Sequence, residues 1–260
     1  MSTLTLAMRD SSTMVRRQLK RLLRYPSMTV QLIITPVILL VLFVYVFGGT
    51  LGNGLGGGSG GRDAYVNYVV PGILLMAAAT AATGTAVMVA TDMTEGIIAR
   101  FRTMRISRAS VLTGHVVGSV IQQLLGMAVL IGIALAIGFR PNATPVEWLA
   151  TAGLLTLFVV AITWLSVALG LNSQTPESAS NAPMPLILLP FLGSGFVPTD
   201  SMPTALRWFA EYQPFTPIME TVRGLLLGTP IGNSAAIATA WCAGIAAVSY
   251  LWAKNTFNKA

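Results

Sequence analysis

The sequence predicts an all-α integral membrane protein with six transmembrane helices, and three observations carry that prediction. Of its 260 residues, 54% are hydrophobic and 10% charged, against about 25% charged in a soluble domain, and the mean hydropathy is +0.71. The apolar residues gather in long charge-free runs of the length that an α-helix, rising about 1.5 Å per residue, needs to cross a hydrocarbon core roughly 30 Å thick. The basic residues sort to one side of the resulting map. Six such helices with their connections take up nearly the whole chain, so no soluble catalytic domain is expected beside them.

An amphipathic helix is expected over 8–25. Met8, Val15, Leu19 and Leu22 share one face, while Arg16, Arg17, Lys20, Arg21 and Arg24 cluster on the other, the pattern of a helix lying in the membrane interface with its cations toward anionic headgroups. Pro26 ends it. The first span, 28–47, carries no charge and holds Gln31, Thr35 and Pro36. That apolar run is too long for a signal-peptide core and no small-residue cleavage pattern follows, so the span is expected to be retained. The glycine-rich stretch 48–61 reads as a flexible external loop. The second span, 65–91, opens on Tyr65 and Tyr68 at the level of an aromatic belt. Its middle, MAAATAATGTA, is all small after Met76, which lets helices approach closely in lipid.

Spans three and four are expected over 116–139 and 148–171, with Glu147 at the edge of the latter. The fifth, 176–195, starts from Thr175, Pro176 and Glu177, which read as N-cap, first helical position and an acid on the positive end of the dipole. Pro183, Pro185 and Pro190 interrupt it, and Gly193 and Gly195 end it early, so a short or bent span is expected. Residues 198–228 alternate bulky apolar side chains with Asp200, Arg207, Glu211, Glu220 and Arg223. Two short helices divided at Pro214 fit this stretch, Pro203 lying in the first half, Thr216 and Pro217 supplying a second cap and first position, and Gly228 a stop. The charges are too many for a lipid-facing crossing, so a re-entrant hairpin in the outer leaflet is expected. The sixth span covers 234–253. Cys242 lies within it and reads as a packing residue.

Lysine and arginine set the orientation. Of the 16, 12 fall on one side of the six-span map, and only Arg62, Arg140, Arg207 and Arg223 on the other. The positive-inside rule then puts both termini in the cytoplasm of a multi-pass cell-membrane protein. The net charge of +7 is thus a topology signal, and nucleic acid is not an expected partner.

Between spans two and three lies a compact charged segment, DMTEGIIARFRTMRISR, from Asp92 to Arg108. On a helix over 96–105, Ile97, Phe101 and Met104 share a narrow apolar face, Arg102 points away, and Arg100 and Arg105 flank it. Such a helix lies flat on the cytoplasmic surface and suits a grip on another protein. Catalytic and metal-binding constellations are not found: His115 has no companion ligand, no phosphate-binding glycine loop with lysine occurs, and the acids are few and scattered at span edges. The charge-free span cores also lack the ionisable groups that a proton- or sodium-driven transporter places at membrane depth. Energy is therefore expected to enter from outside the chain, through 96–105.

The order of these elements resembles a known family. The residues that carry the resemblance are Glu95, Gly96, Arg100, Phe101 and Arg102 with the following Ile106, Ser107 and Arg108; then Phe196, Pro198, Met202 and Pro203; and lastly Gln213, Pro214, Phe215, Thr216, Arg223, Gly224 and Gly228. Together they are similar to the ABC-2 type permeases, and most of all to the daunorubicin-resistance (DrrB-like) branch, over nearly the whole chain. The resemblance implies that 96–105 is a coupling helix docking in a cleft of a separate ABC ATPase subunit, with Glu95, Gly96, Ile97, Arg100, Phe101, Arg102, Met104 and Arg105 at the contact. It implies that ATP and Mg are bound by that subunit and no cofactor by this chain, and that a second permease chain, identical or related, completes the pathway. Family members usually have proline before the Ile-Ser-Arg triplet; Arg105 stands there here, which implies about one more turn of coupling helix.

The resemblance further places spans one and five on the path, which brings Gln31, Thr35, Phe43, Met184, Leu188 and Phe191 near a cargo. The implied function is the permease subunit of a bacterial ATP-driven exporter, itself not an enzyme. A path without charged rings does not compensate a strongly hydrated ion, so the expected cargo is a hydrophobic or amphipathic drug, polyketide or lipid. The alternatives are export of a glycan or lipid-linked polymer by the same fold class, a membrane scaffold without transport, and a lipid-modifying enzyme, which would need clustered polar residues that the sequence lacks.

Overall fold

The computed structural model describes the backbone of residues 26–54, 61–95 and 108–259, and the side chains of 30, 33–54, 61–95 and 116–257. The expected interfacial helix 8–25 and coupling helix 96–105 lie outside the described residues. Every regular element among the described residues is helical: α1 (Pro26–Leu42), a π-turn (Phe43–Phe47), α2 (Gly48–Asn53), α3 (Gly61–Thr94), α4 (Arg108–Ile137), α5 (Pro145–Asn172), α6 (Pro176–Asn181), α7 (Met184–Leu188), a 3-10 turn (Thr199–Ser201), α8 (Thr204–Tyr212), α9 (Phe215–Leu227) and α10 (Ser234–Lys259).

Among the described residues, five stretches are long and apolar enough to cross a membrane: Ile33–Asn53, Gly61–Thr94, Val116–Ile137, Pro145–Asn172 and Ser234–Phe257. The expected span 176–195 is not a continuous helix. Thr175 does cap α6, its hydroxyl accepting from Ser178 N–H at 3.2 Å, with Pro176 in the first turn. The helix then stops at Asn181, restarts at Met184 and gives way to turns after Leu188. Pro183, Pro185 and Pro190 explain the break, because each lacks the N–H that would continue the ladder and crowds the preceding turn.

The expectation of a flexible loop from Gly48 needs correction. The helix runs on through the π-turn to Asn53, and the Thr50 hydroxyl donates to Phe47 O at 3.0 Å. Here glycine serves close approach: a Cβ on Gly48 would come within 3.3 Å of Arg62 Cγ, and one on Gly52 would overlap the Gly61 backbone. The end of α2 thus meets the start of α3, which begins at Gly61, ahead of the expected 65; the rest of the expected loop, 55–60, lies outside the described residues. Similarly, α5 begins at Pro145, because Thr144 and Glu147 form a reciprocal capping box in which Thr144 N–H donates to Glu147 Oε2 at 2.6 Å and Glu147 N–H to Thr144 Oγ1 at 3.4 Å.

The small-residue middle of α3 lets α5 close on it, and these two helices bury most of their length. Gly170 of α5 sits so near that a Cβ there would lie 2.5 Å from Ala86 O. Helices α1, α4 and α10 pack around this pair and leave much of their surface outward. The core holds Ile73, Leu74, Ile162 and Met219, with Phe158 edge-on to Phe215 at 5.3 Å between ring centres. A second cluster joins Val89, Val116, Val167, Leu171 and Phe257. It fixes the ends of α3, α5 and α10 and the start of α4 at one pole of the bundle. At the other pole, Asn142 N–H donates to Leu226 O at 2.9 Å and the Arg140 N–H to Asn67 Oδ1 at 2.9 Å, which gathers the α4–α5 turn, α3 and the 198–228 segment.

Candidate functional site

The residues expected to meet an ATPase lie almost wholly outside the described residues: Gly96, Ile97, Arg100, Phe101, Arg102, Met104 and Arg105. Glu95 is described, exposed just beyond α3 with its N–H donating to Thr91 O at 2.9 Å. Asp92, one turn earlier, is buried at that same pole.

Of the expected pathway residues, Gln31 is on α1 with its side chain outside the described set, and Thr35 is on the exposed side of that helix. Met184 and Leu188 lie one turn apart on α7 and are 58% and 51% exposed. Phe43 and Phe191 come together, ring centres 6.3 Å apart. Between them stands Phe196, which sequence reasoning did not place on the path: it stacks on Phe191 at 4.4 Å with planes 7° apart and meets Phe43 at 4.5 Å. Phe43 and Phe47 open and close the π-turn of the first span, ring centres 5.7 Å apart. A π-turn is uncommon and concentrates at functional sites. The result is an aromatic ledge whose Phe47 and Phe191 remain exposed.

The ledge is held by a polar knot built on the backbone of 193–196. Tyr65 OH donates to Phe196 O at 3.3 Å and Tyr68 OH to Ser194 O at 2.9 Å. Ser194 N–H donates to Thr216 Oγ1 at 3.3 Å. Gln213 Nε2 donates to Leu189 O at 3.0 Å and to Thr216 Oγ1 at 3.2 Å. Arg223 donates through Nε and Nη2 to Tyr68 O at 3.3 and 3.1 Å, and through Nη2 to Ser194 O at 2.7 Å, with its guanidinium carbon 3.8 Å from the Tyr68 ring centre.

The expected two helices of 198–228 are α8 and α9, divided at Gln213 and Pro214. Pro203 immediately precedes α8 and Gly228 closes α9 in the left-handed conformation at φ 74°, its N–H donating to Gly224 O at 2.9 Å. The expected Thr216 cap is corrected: Pro214 occupies the N-cap position, Thr216 lies within the first turn, and its hydroxyl receives Ser194 and Gln213 instead. Glu220 accepts from Ser234 Oγ at 3.1 Å, tying α9 to α10. Exposed Arg207 pairs with Asp200 and Glu211, both at 2.7 Å. The hydrogen bond it donates to Glu211, then the charge of Asp200, holds its guanidinium above the ordinary value. Tyr65, Tyr68, Ser194 and Gln213 are the site residues that the sequence did not single out for this role.

Between α1, α3 and α4 a narrow cleft is lined by Ile33, Pro36, Ala77, Ala81, Gln123 and Met127. Gln123 Nε2 donates to Thr163 Oγ1 at 3.1 Å, and its buried Oε1 has no partner. Among the described residues no group of His, Cys, Asp and Glu could hold a metal ion.

Comparison with known proteins gives concordant matches. The family model described as ABC-2 type transporter matches residues 10–227. The chain is 25% identical over 169 residues to the daunorubicin resistance ABC transporter permease protein DrrB1 of Streptomyces coeruleorubidus, covering 64% of this chain and 59% of that one. It is 25% identical over 186 residues to DrrC of Mycobacterium tuberculosis, described as a probable doxorubicin resistance ABC transporter permease protein, covering 72% of this chain and 67% of the other. The match thus spans less than two thirds of the length of DrrB1.

Proposed function

The chain belongs to the ABC-2 type transporter family, and on that premise we propose that it is the permease subunit of an ATP-driven exporter of hydrophobic or amphipathic cargo. The observation that carries the reading is the family match over 10–227, joined by two relatives whose names are those of drug-resistance permeases. The distribution of charge supports it. In the five described spans, ionised side chains sit near the ends, at Arg62, Asp63, Asp92, Glu147 and Lys254, which leaves the middle without a group that an ion gradient could drive.

In this reading the broken segment 176–195 is the sixth crossing and 198–228 a re-entrant hairpin in the outer leaflet. Both termini are cytoplasmic in a bacterial cell membrane. A separate ABC ATPase binds ATP and Mg and meets Glu95 and the following residues to Arg105, and a second permease chain shares the pathway. Exposed apolar Met184, Leu188 and Phe191 suit drug, polyketide or lipid. The aromatic ledge is the observation that favours the alternative cargo, a glycan or lipid-linked polymer, because sugar faces also stack on aromatic rings.

The test is copurification of the ATPase with wild-type and Phe101→Asp permease. A desolvated aromatic anchor is worth about 2 kcal/mol or more, so the variant should insert normally while its affinity for the ATPase falls at least ~30-fold. A variant that binds the ATPase and exports as wild type does would overturn this entry point for energy.

A further inference from the structure

We propose that Arg223 is a positioning residue that pins the 193–196 backbone closed across the pole of the bundle opposite Asp92, and so holds the Phe191 and Phe196 ledge in place. The geometry of its fork carries the proposal. One guanidinium bridges two carbonyls from separate parts of the chain, Tyr68 O on α3 and Ser194 O in the turn, while lying on the Tyr68 ring at 3.8 Å. Tyr68 OH reaches the same Ser194 O at 2.9 Å, so ring and cation converge on one acceptor. A lysine supplies charge without a planar fork and cannot reproduce both contacts.

Two features mark this as a closure and not ordinary packing. Its hydrogen bonds run from side chains to a segment with no helical ladder of its own, so releasing them leaves the five spans intact. It also retains unspent capacity: Ser194 Oγ and Gln213 Oε1 are both buried with no partner. Such groups favour rearrangement, because opening to water satisfies them. As the closure stands at the cargo's release end only if the chain is an exporter, that part rests on the function proposed above.

Ser194→Cys in a Cys242→Ser background supplies the probe, since Ser194 is 3% exposed and its hydroxyl makes no hydrogen bond that cysteine would lose. Labelling by a membrane-impermeant maleimide is measured with Arg223, Arg223→Lys and Arg223→Gln. Both variants should raise the rate at least about tenfold, the factor that one lost charge-assisted hydrogen bond gives to an opening equilibrium. Tyr68→Phe, which removes one neutral hydrogen bond, should raise it roughly threefold. Native Cys242, buried in the core, reports global loosening in chains that retain Ser194. Its rate should not change.

Full rescue by Arg223→Lys, an unchanged rate in every variant, or a parallel rise at Cys242 would each overturn the positioning role. A second arm repeats the Ser194→Cys measurement on the complex with its ATPase, with and without ATP. Acceleration by ATP supports opening during export. No effect of ATP, with the Arg223 variants still accelerated, leaves the pin standing and overturns its assignment to the release path.

Discussion

Gly72 and Gly84 lie on the same helix, α3, and their alanine variants should move stability in opposite directions. A Cβ on Gly72 would fall 2.6 Å from Gly195 O, 2.8 Å from its Cα and 3.0 Å from its carbonyl carbon, whereas one on Gly84 would meet nothing within 4 Å. Alanine gains about 0.5–1 kcal/mol over glycine in a helix interior, and that gain applies at both positions. The difference between the variants therefore isolates the overpacking cost at Gly72, about 1–3 kcal/mol, since backbone and not a pliable side chain stands in the way. At roughly 2–4 °C per kcal/mol for a chain approaching this size, Gly72→Ala should melt about 2–12 °C below Gly84→Ala, and Gly84→Ala slightly above wild type. The buried thiol of Cys242 makes the assay direct: a dye that fluoresces on reaction with thiols reports the exposure of α10 during a thermal ramp in detergent. Equal midpoints for the two variants would refute the close crossing of α3 with the 193–196 turn, and with it the geometry on which the Arg223 pin depends.

Phe158→Ala removes a fully buried ring that meets Phe215 edge-on at 5.3 Å, and should cost about 3–5 kcal/mol, read as a fall in the same melting midpoint. Gln123→Met should be neutral or raise the midpoint, because it deletes a buried acceptor without a partner and leaves the Thr163 hydroxyl free to turn to its own helix, as Ser166 does toward Ile162 O; a loss above about 1 kcal/mol would show that the cleft polarity is needed. Single cysteines at Thr199 and Asn233, flanking α8 and α9, should both react with an impermeant maleimide from outside the cell, whereas reaction at only one of them would mean that the hairpin crosses. Gly232 is avoided because its φ of 54° disfavours any side chain.

The long apolar helices were legible because each is a continuous run whose charges stop at its ends. Their bounds moved where local chemistry outweighed hydropathy. The Thr144 and Glu147 box begins α5 three residues before the charge-free run from Trp148, and the ladder through Phe43–Phe47 carries the first span into glycines that composition alone assigns to a loop. Prolines announced the break in 176–195, since a missing N–H is a property of the residue itself. The knot left no such sign. Arg223 and Tyr68 are 155 positions apart, and the acceptors are backbone carbonyls, which every residue carries. Thr216 next to Pro217 matches a cap signature, but the helix had already begun after Pro214, and the hydroxyl turned to Ser194 and Gln213.

The placement of a buried arginine in the hairpin follows from the proline break. Carbonyls of a segment without a helical ladder cannot stay unpaired in a low-dielectric setting, where each costs several kcal/mol. Leu189 O receives Gln213, Ser194 O receives Tyr68 and Arg223, and Phe196 O receives Tyr65. The acceptors that a continuous helix would satisfy internally are thus served by side chains from α3 and the hairpin. Taking an arginine away from water costs several kcal/mol. Hydrogen bonds from a charged donor contribute about 1.5–3 kcal/mol each, so the contacts to Tyr68 O and Ser194 O are sufficient to offset it. By the same reasoning, this segment is easier to free than a turn of helix would be. Breaking a helix here would sacrifice a cooperative ladder, whereas freeing 193–196 requires only that a few side chains exchange their carbonyls for water.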